Sequence, residues 1–420
     1  MALLSATPAI GQSASGMVDD FDVFCRFVAD DYAYFDSKTT QWDKACAALR
    51  PQAERATDRN TLIPILESAL AELYDAHAHV GASIRTSPRL VPTGAELWVE
   101  WEVDAAIIRE IREGSPAFIA GVRPGMRIVA IDGQPIAEAL RERQPHFLRA
   151  PDAAARSWTL QSVVAGRQNG EPVRLTIEAG GTTRVIDYVP ANDRASAPLS
   201  ARRLDVGIVV IRFNNSLGDD ATVAAFDAQV DAFKDARGLI LDLRDTPSGG
   251  TSMVARGIMS RLIGAAAPYQ VHELIAEARA SGIRRRWIEY VMPRGQRFAA
   301  PVVVLVGRWT SSMGEGLAIG LNAVRGAPVI GTPMAHLLGA LEEIKLPRSG
   351  LVVRIPTEQL FHVDGTPREA FVPCAVPIAS RGTATDHALD AAVAWLAHPP
   401  TKGNARKTSK KGSGCVGTPR

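Results

Sequence analysis

Two adjacent serines, Ser311 and Ser312, stand between an apolar run, PVVVLVG, and a stretch of helical character, MGEGLAIGLNAVRG. Ser312-Met-Gly-Glu315 fits S-x-x-E, the capping box that begins many helices. A serine at this junction feels the positive end of the helix dipole, and the first helical N–H groups are unpaired. Such groups can hold a developing oxyanion. A second apolar run, GLILDLRD, ends in TPSGG, where the N–H groups of Gly249 and Gly250 are unshielded by side chains. A strand ending in serine beside a strand ending in a glycine pair suits acyl transfer, and the serine then needs a base. Of the eight histidines, His146, His272, His387 and His398 lie in helical or polar stretches without reactive neighbours. His336 and His362 fall in loops, and His77 and His79 close the stretch LYDAHAHVG. Residue types alone leave the choice of base open.

Three kinds of segment must position these groups. Residues 19–85 read as a helical subdomain. DDFDVFCRFVADDYAYF places Phe21, Phe24, Val28 and Tyr32 on one face, and NTLIPILESALAELYDAH places Leu62, Ile65, Leu66, Ala69, Leu70 and Leu73 on another. Residues 86–195 read as β-rich, with a hairpin at Gly180-Gly181 and a tight turn at Asp132-Gly133. Residues 196–397 alternate strand and helix, which implies parallel strands joined by right-handed crossovers, with chemistry at their carboxyl ends.

Four motifs in order resemble the carboxyl-terminal processing and tricorn-core serine protease family over about Val18 to Ala397: YAYFDSKTTQWDKA with Leu73-Tyr-Asp-Ala-His77, the PDZ-like string GSPAFIAGVRPGMRIVAIDGQPI, LILDLRDTPSGG, and PVVVLVGRWTSSMGE. The resemblance implies a ClpP/crotonase-like αβ core with an N-terminal helical subdomain and a PDZ-like β-rich domain. Carried over by position, it makes Ser312 the nucleophile, His77 the base and Glu369, in HVDGTPREAFVP, the orienting acid. Met313 and Gly249 become the oxyanion donors. It implies serine endopeptidase activity on polypeptides, near C-termini in some family members, with no cofactor and no metal. The PDZ-like domain would bind a chain end by β-addition or gate the cleft. Several positions depart from the pattern. Where Ser-Lys members carry G-K-G the chain reads GTPMAHLLGA, and Lys345 is no substitute; Met126 replaces the usual PDZ aspartate; Ala76 precedes the base; Thr246 and Ser248 replace an Asn and a Gly. These last changes favour the alternative, a non-catalytic peptide- or lipid-binding member of the same fold. A crotonase-like thioester enzyme explains neither the PDZ-like string nor the His77 motif.

The 420 residues carry a formal charge of +2, which gives no global reason to expect nucleic acid. No apolar run approaches the ~18–20 residues of a membrane helix. Residues 1–18 read as a leader resembling a truncated signal peptide or as a disordered N-terminus, and residues 398–420 as a disordered basic tail. An export signal would place the protein in the periplasm or outside the cell. The four cysteines lack metal-site spacing; Cys25 and Cys46 are read either as a pair, in an exported protein, or as free buried thiols.

Overall fold

The computed structural model describes residues 16–103, 105–191, 197–376 and 386–398. The leader and the basic tail expected from the sequence lie essentially outside them. Among the described residues no helix is long and apolar enough to cross a membrane.

The first lobe is helical: α1 (Gly16–Asp31), α2 (Trp42–Arg55) and α3 (Arg59–Ala71). α3 starts where Asp58 accepts the N–H groups of Asn60 and Thr61. Phe21, Phe24 and Val28 of α1 and Leu62, Leu66, Ala69 and Leu70 of α3 are buried, as their helical spacing requires. A Cys25–Cys46 disulfide joins α1 to α2. After α3 the chain passes His77 and forms the two-residue strand β1 (His79–Val80).

The second lobe is a β-sheet with helices. Its elements are β2 (Leu97–Glu102), β3 (Ala105–Ile111), α4 (Pro116–Ile119), β4 (Arg127–Ile131), β5 (Gln134–Pro135), α5 (Ile136–Arg143), α6 (Ala153–Ala165), β6 (Val173–Ala179) and β7 (Thr182–Tyr188). The sheet runs β2-β3-β4-β6-β7, with β5 paired to β4. β2 lies at its edge, but the Gln161 amide of α6 engages both the N–H and the carbonyl of Val99 there. The N–H and carbonyl of Val99 at that edge are thus already paired.

The rest of the chain builds two sheets. In order it forms β8 (Leu199–Arg203), β9 (Ile208–Phe213), α7 (Ala221–Ala232), β10 (Gly238–Asp242), α8 (Ser252–Ser260), β11 (Ala267–Leu274), α9 (Ile275–Ser281), β12 (Arg285–Val291), β13 (Val302–Val306), α10 (Met313–Arg325), β14 (Val329–Gly331), β15 (Ala340–Lys345), β16 (Val352–Phe361), β17 (Cys374–Ala375) and α11 (His387–Ala397). One sheet runs β17-β14-β13-β10-β9-β8; its neighbours are parallel except the antiparallel β8–β9 edge pair. β10 and β13 are buried at every position, as central strands covered on both faces must be. The other sheet runs β1-β16-β11-β12, with β15 paired to β16.

This second sheet departs from a simple β-α alternation, and it also ties the helical lobe down. Leu346, Leu351, Val353 and Ile355 share a core with α1 and α3, and Asp20, fully buried in α1, accepts the N–H groups of Arg348 and Ser349. His77 therefore reaches the core through a joint hydrophobic cluster and a strand pairing, not through a loose contact between subdomains.

Candidate active site

The site is assembled where β10 and β13 end. The two strands run in parallel register from Leu239↔Val302 to Asp242↔Leu305, and a bridge between Thr246 and Thr310 continues that alignment. The hydroxyls of Thr246 and Thr310 both donate to the Leu243 carbonyl, at 2.9 and 2.8 Å. Ser311, fully buried, donates its hydroxyl to the Pro247 carbonyl at 2.8 Å. Ser311 thus serves the frame, and its neighbour faces the opening.

Ser312 sits at φ 49° and ψ −115°, a positive φ that costs a side-chain-bearing residue strain. Its backbone N–H donates to Glu315 at 2.9 Å, so half of the S-x-x-E box does begin α10. Its hydroxyl is turned elsewhere: Ser312 Oγ lies 3.1 Å from His77 Nε2. On the far side of the ring, His77 Nδ1 lies 2.6 Å from the Leu338 carbonyl oxygen. A carbonyl only accepts, so Nδ1 carries the proton and Nε2 presents its lone pair to the serine hydroxyl. Burial, with the Arg368 charge adding to it, pushes the His77 imidazole down to about 3, so the ring is neutral at pH 7. Neutral is the form a general base needs.

His77 is held from two directions. Asp75 accepts the His77 backbone N–H at 2.9 Å and the Tyr32 hydroxyl at 2.8 Å. The Leu338 carbonyl is fixed by its neighbours: Arg368, 2% exposed, donates to the Leu337 and Gly339 carbonyls, both at 2.8 Å. Glu315, fully buried, accepts the N–H groups of His336 at 2.9 Å and Leu337 at 3.1 Å, besides that of Ser312. One carboxylate therefore links the backbone of the serine to the loop that orients the histidine. Burial pushes Glu315 up to about 7, against the Arg368 charge and these three N–H groups.

The expected oxyanion pair is only partly as the sequence suggested. The Met313 N–H has no hydrogen-bond partner among the described residues, whereas the Gly249 N–H donates to the Thr246 carbonyl at 3.1 Å in a tight turn. What Gly249 supplies is space. It sits at φ 62°, and a Cβ there would lie 2.5 Å from Ser312 Cβ, 3.0 Å from Ser312 Oγ and 3.2 Å from the Met313 nitrogen. The room beside Ser312 Oγ exists because residue 249 has no side chain.

Glu369 departs further. The Leu338 carbonyl occupies the one proton that Nδ1 can donate, and Glu369 makes no hydrogen bond to His77. Its carboxyl is buried beside Tyr34 and Arg368; burial holds it above the usual carboxylate range, and its Oε2 is unpartnered among the described residues. Its backbone carbonyl accepts from His336 Nδ1 at 2.5 Å. Leu338 carried no signal that residue type could reveal, because it acts through its main chain. Arg368 stood unremarked beside Glu369.

A buried, neutral histidine thus meets a serine of positive φ at a helix N-terminus, where parallel strands of an αβ core end. Residues 205–371 match Peptidase family S41, so this stretch is a domain of that serine peptidase family. Among curated relatives, Tricorn protease homolog 1 of Streptomyces coelicolor is 25% identical over 338 residues, 74% of this chain and 28% of that protein. The chain thus spans little more than a quarter of that relative's length. Two solved structures share the fold. The photosystem II D1 C-terminal processing protease has TM-score 0.56 and 17% identity, covering 90% of this chain and 97% of its own. Mature CPAF complexed with lactacystin has TM-score 0.56 and 14% identity, covering 91% and 97%.

Proposed function

We propose that the protein is a serine endopeptidase that cleaves polypeptides through an acyl-enzyme, with Ser312 as nucleophile and His77 as base. The observation that carries this reading is the 3.1 Å approach of His77 Nε2 to Ser312 Oγ, with the opposite ring nitrogen anchored at 2.6 Å. As Oγ attacks the scissile carbonyl, Nε2 takes its proton, and the Nδ1–H to Leu338 bond keeps the ring in the attacking orientation. The new oxyanion develops in the space beside Gly249 and accepts the Met313 N–H, with the Gly249–Gly250 turn as the source of a second donor once a ligand displaces the Thr246 contact. His77 then returns the proton to the leaving amine, and water repeats the sequence on the acyl-enzyme. The imidazolium that forms in between is balanced by the Leu338 carbonyl and by Asp75, which is held next to it through the His77 N–H.

Two finer points go with this reading. The Cys25–Cys46 bond supports an oxidising compartment, such as the periplasm or the exterior, since such bonds are rare where thiols are kept reduced. The paired Gly249 N–H favours the second reading, a non-catalytic binder of peptides on the same fold. Cleavage of an unfolded polypeptide, followed by mass spectrometry of the fragments, separates the two. Ser312→Ala or His77→Ala should lower kcat by about 10⁶-fold. Fragments formed equally by the Ser312→Ala protein, or by neither form, would favour the binder.

A further inference from the structure

β12 ends the sheet β1-β16-β11-β12 and pairs only with β11. In an antiparallel ladder alternate residues turn their N–H and carbonyl away from the partner strand. Among the described residues, no other segment takes up the main-chain groups of Arg285–Val291 that face outward. Such edges are usually blunted by short length, proline, charge or a cover. β12 has 7 residues and no proline. Its charge guards one half only. Arg284, Arg285 and Arg286 stand at its start, whereas Ile288 and Tyr290 in its second half are 49% and 51% exposed, and Met292 just beyond is 64% exposed. Of the other edge strands, β2 and β8 carry no exposed large apolar side chain, and β7 carries one, Val185.

The two faces of β12 differ. On the inner face Trp287 stacks on His272 with ring centroids 4.9 Å apart, Glu289 lies 3.4 Å from His272 Nε2, and Val291 enters the core. Side chains alternate along a strand, so Arg286, Ile288 and Tyr290 lie on the outer face. Arg284 joins them there, because it and Arg286 share the Glu273 carboxylate, at 2.6 and 2.5 Å. Two cations on one carboxylate leave that end of the outer face positive. The strand is therefore basic at its start and apolar, with one acid, toward its end.

We propose that β12 is a self-association edge: a second copy of this chain adds its own β12 antiparallel across a twofold axis, joining the two β1-β16-β11-β12 sheets into one. Residues directly opposite in an antiparallel pair share a face, so an inner-face residue meets an inner-face residue. Glu289 then meets a cation of the strand in one register only, with Trp287 on the axis and Glu289 opposite Arg285 of the second copy. The same register sets Tyr290 opposite Arg284 and Ile288 opposite Arg286, so the basic half of each strand covers the apolar half of the other. A copy added in parallel and in register would set arginine on arginine. The twofold makes every such contact count twice. The inference stands apart from the peptidase reading, and association is measured without catalysis.

The test is sedimentation of the full chain over a wide range of concentration. The native protein should approach twice the mass of one chain as concentration rises. Tyr290→Lys sets a cation opposite Arg284 of the second copy and should weaken the dimer about tenfold or more. Ile288→Lys, opposite Arg286, should act in the same direction. Tyr290→Glu removes the same ring but sets an anion opposite Arg284, and the dimer should hold or tighten. Both positions are exposed, so the melting temperature of the dilute protein should stay near the native value in all three variants. The mass of a single chain at every concentration would overturn the proposal, as would a dimer that Tyr290→Lys and Ile288→Lys leave unchanged. Equal losses in Tyr290→Lys and Tyr290→Glu would overturn the antiparallel pairing.

Discussion

The two sides of the Ser312–His77 pair are built differently. On the serine side, everything comes from one sheet: β10 and β13 in parallel register, two threonines on one carbonyl, Ser311 tied to Pro247, and Gly249 leaving the gap. On the histidine side, three distant segments meet: His77 after α3, Leu338 in the loop before β15, and Arg368 beyond β16. Among the described residues, that side also carries three buried side-chain atoms without hydrogen-bond partners, Tyr34 Oη, Arg368 Nε and Glu369 Oε2. Buried side-chain groups left unpaired cost free energy, so the histidine side has more room to rearrange than the serine side. The placement of Ser312 is a property of the core; the orientation of His77 is a property of how the lobes meet.

After loss of Ser312 or His77, the largest effect should follow from filling the serine side. Gly249→Ala puts a Cβ 2.5 Å from Ser312 Cβ at φ 62°, and kcat should fall by about 10²–10³, as when an oxyanion site is lost. A kcat within threefold of the native value would show that this space is not where the oxyanion forms.

Next comes the carboxylate that joins the two sides. Glu315→Gln keeps the shape but cannot accept three N–H groups equally, and about 10²-fold in kcat is the scale of a small misplacement of the catalytic pair. Its pH signature separates it from His77. Because Glu315 is held up to about 7, activity should decline as pH falls through that value, and in the Gln variant this limb should move down toward the low His77 value of about 3. Stability runs the other way. Between 4.5 and about 7 the folded chain keeps a proton that the unfolded chain releases, so the contribution of this group is complete below 4.5 and is lost as pH rises through about 7. A limb near 6.5 that persists in Glu315→Gln would assign it to the histidine instead.

The smallest effect is expected at the residue that resemblance made the third member. Glu369→Gln should change kcat less than about tenfold, because His77 Nδ1 is bonded to Leu338 and not to this carboxyl. A loss approaching 10⁴-fold, the scale seen when a triad acid is neutralised, would show that Glu369 replaces the Leu338 carbonyl during turnover.

These residues also mark how far the sequence could be read. Helix and strand existence followed from periodicity: the apolar faces of α1 and α3 and the unbroken apolar runs of β10 and β13 are buried as their spacing demands. Ser312, Gly249 and Met313 meet because their motifs follow β10 and β13, and His77, in the motif after α3, joins them where β1 pairs with β16. The β1-β16-β11-β12 sheet was not legible, since pairing between residues some 275 positions apart leaves no local pattern. Leu338 was invisible for the same kind of reason, as a main-chain carbonyl has no letter. Glu315 was legible as a cap, and its Ser312 bond is that of a cap, but its two bonds to residues 336 and 337 depend on tertiary contact.

The central claim is that Ser312 is made nucleophilic by a neutral His77. It is tested most directly by treating the protein with a fluorophosphonate probe near pH 7 and mapping the adduct. One adduct on Ser312, absent in Ser312→Ala and slowed by several orders of magnitude in His77→Ala, is the expected result. An adduct on Ser311 or another serine, or labelling of Ser312 at an unchanged rate without His77, would contradict the account.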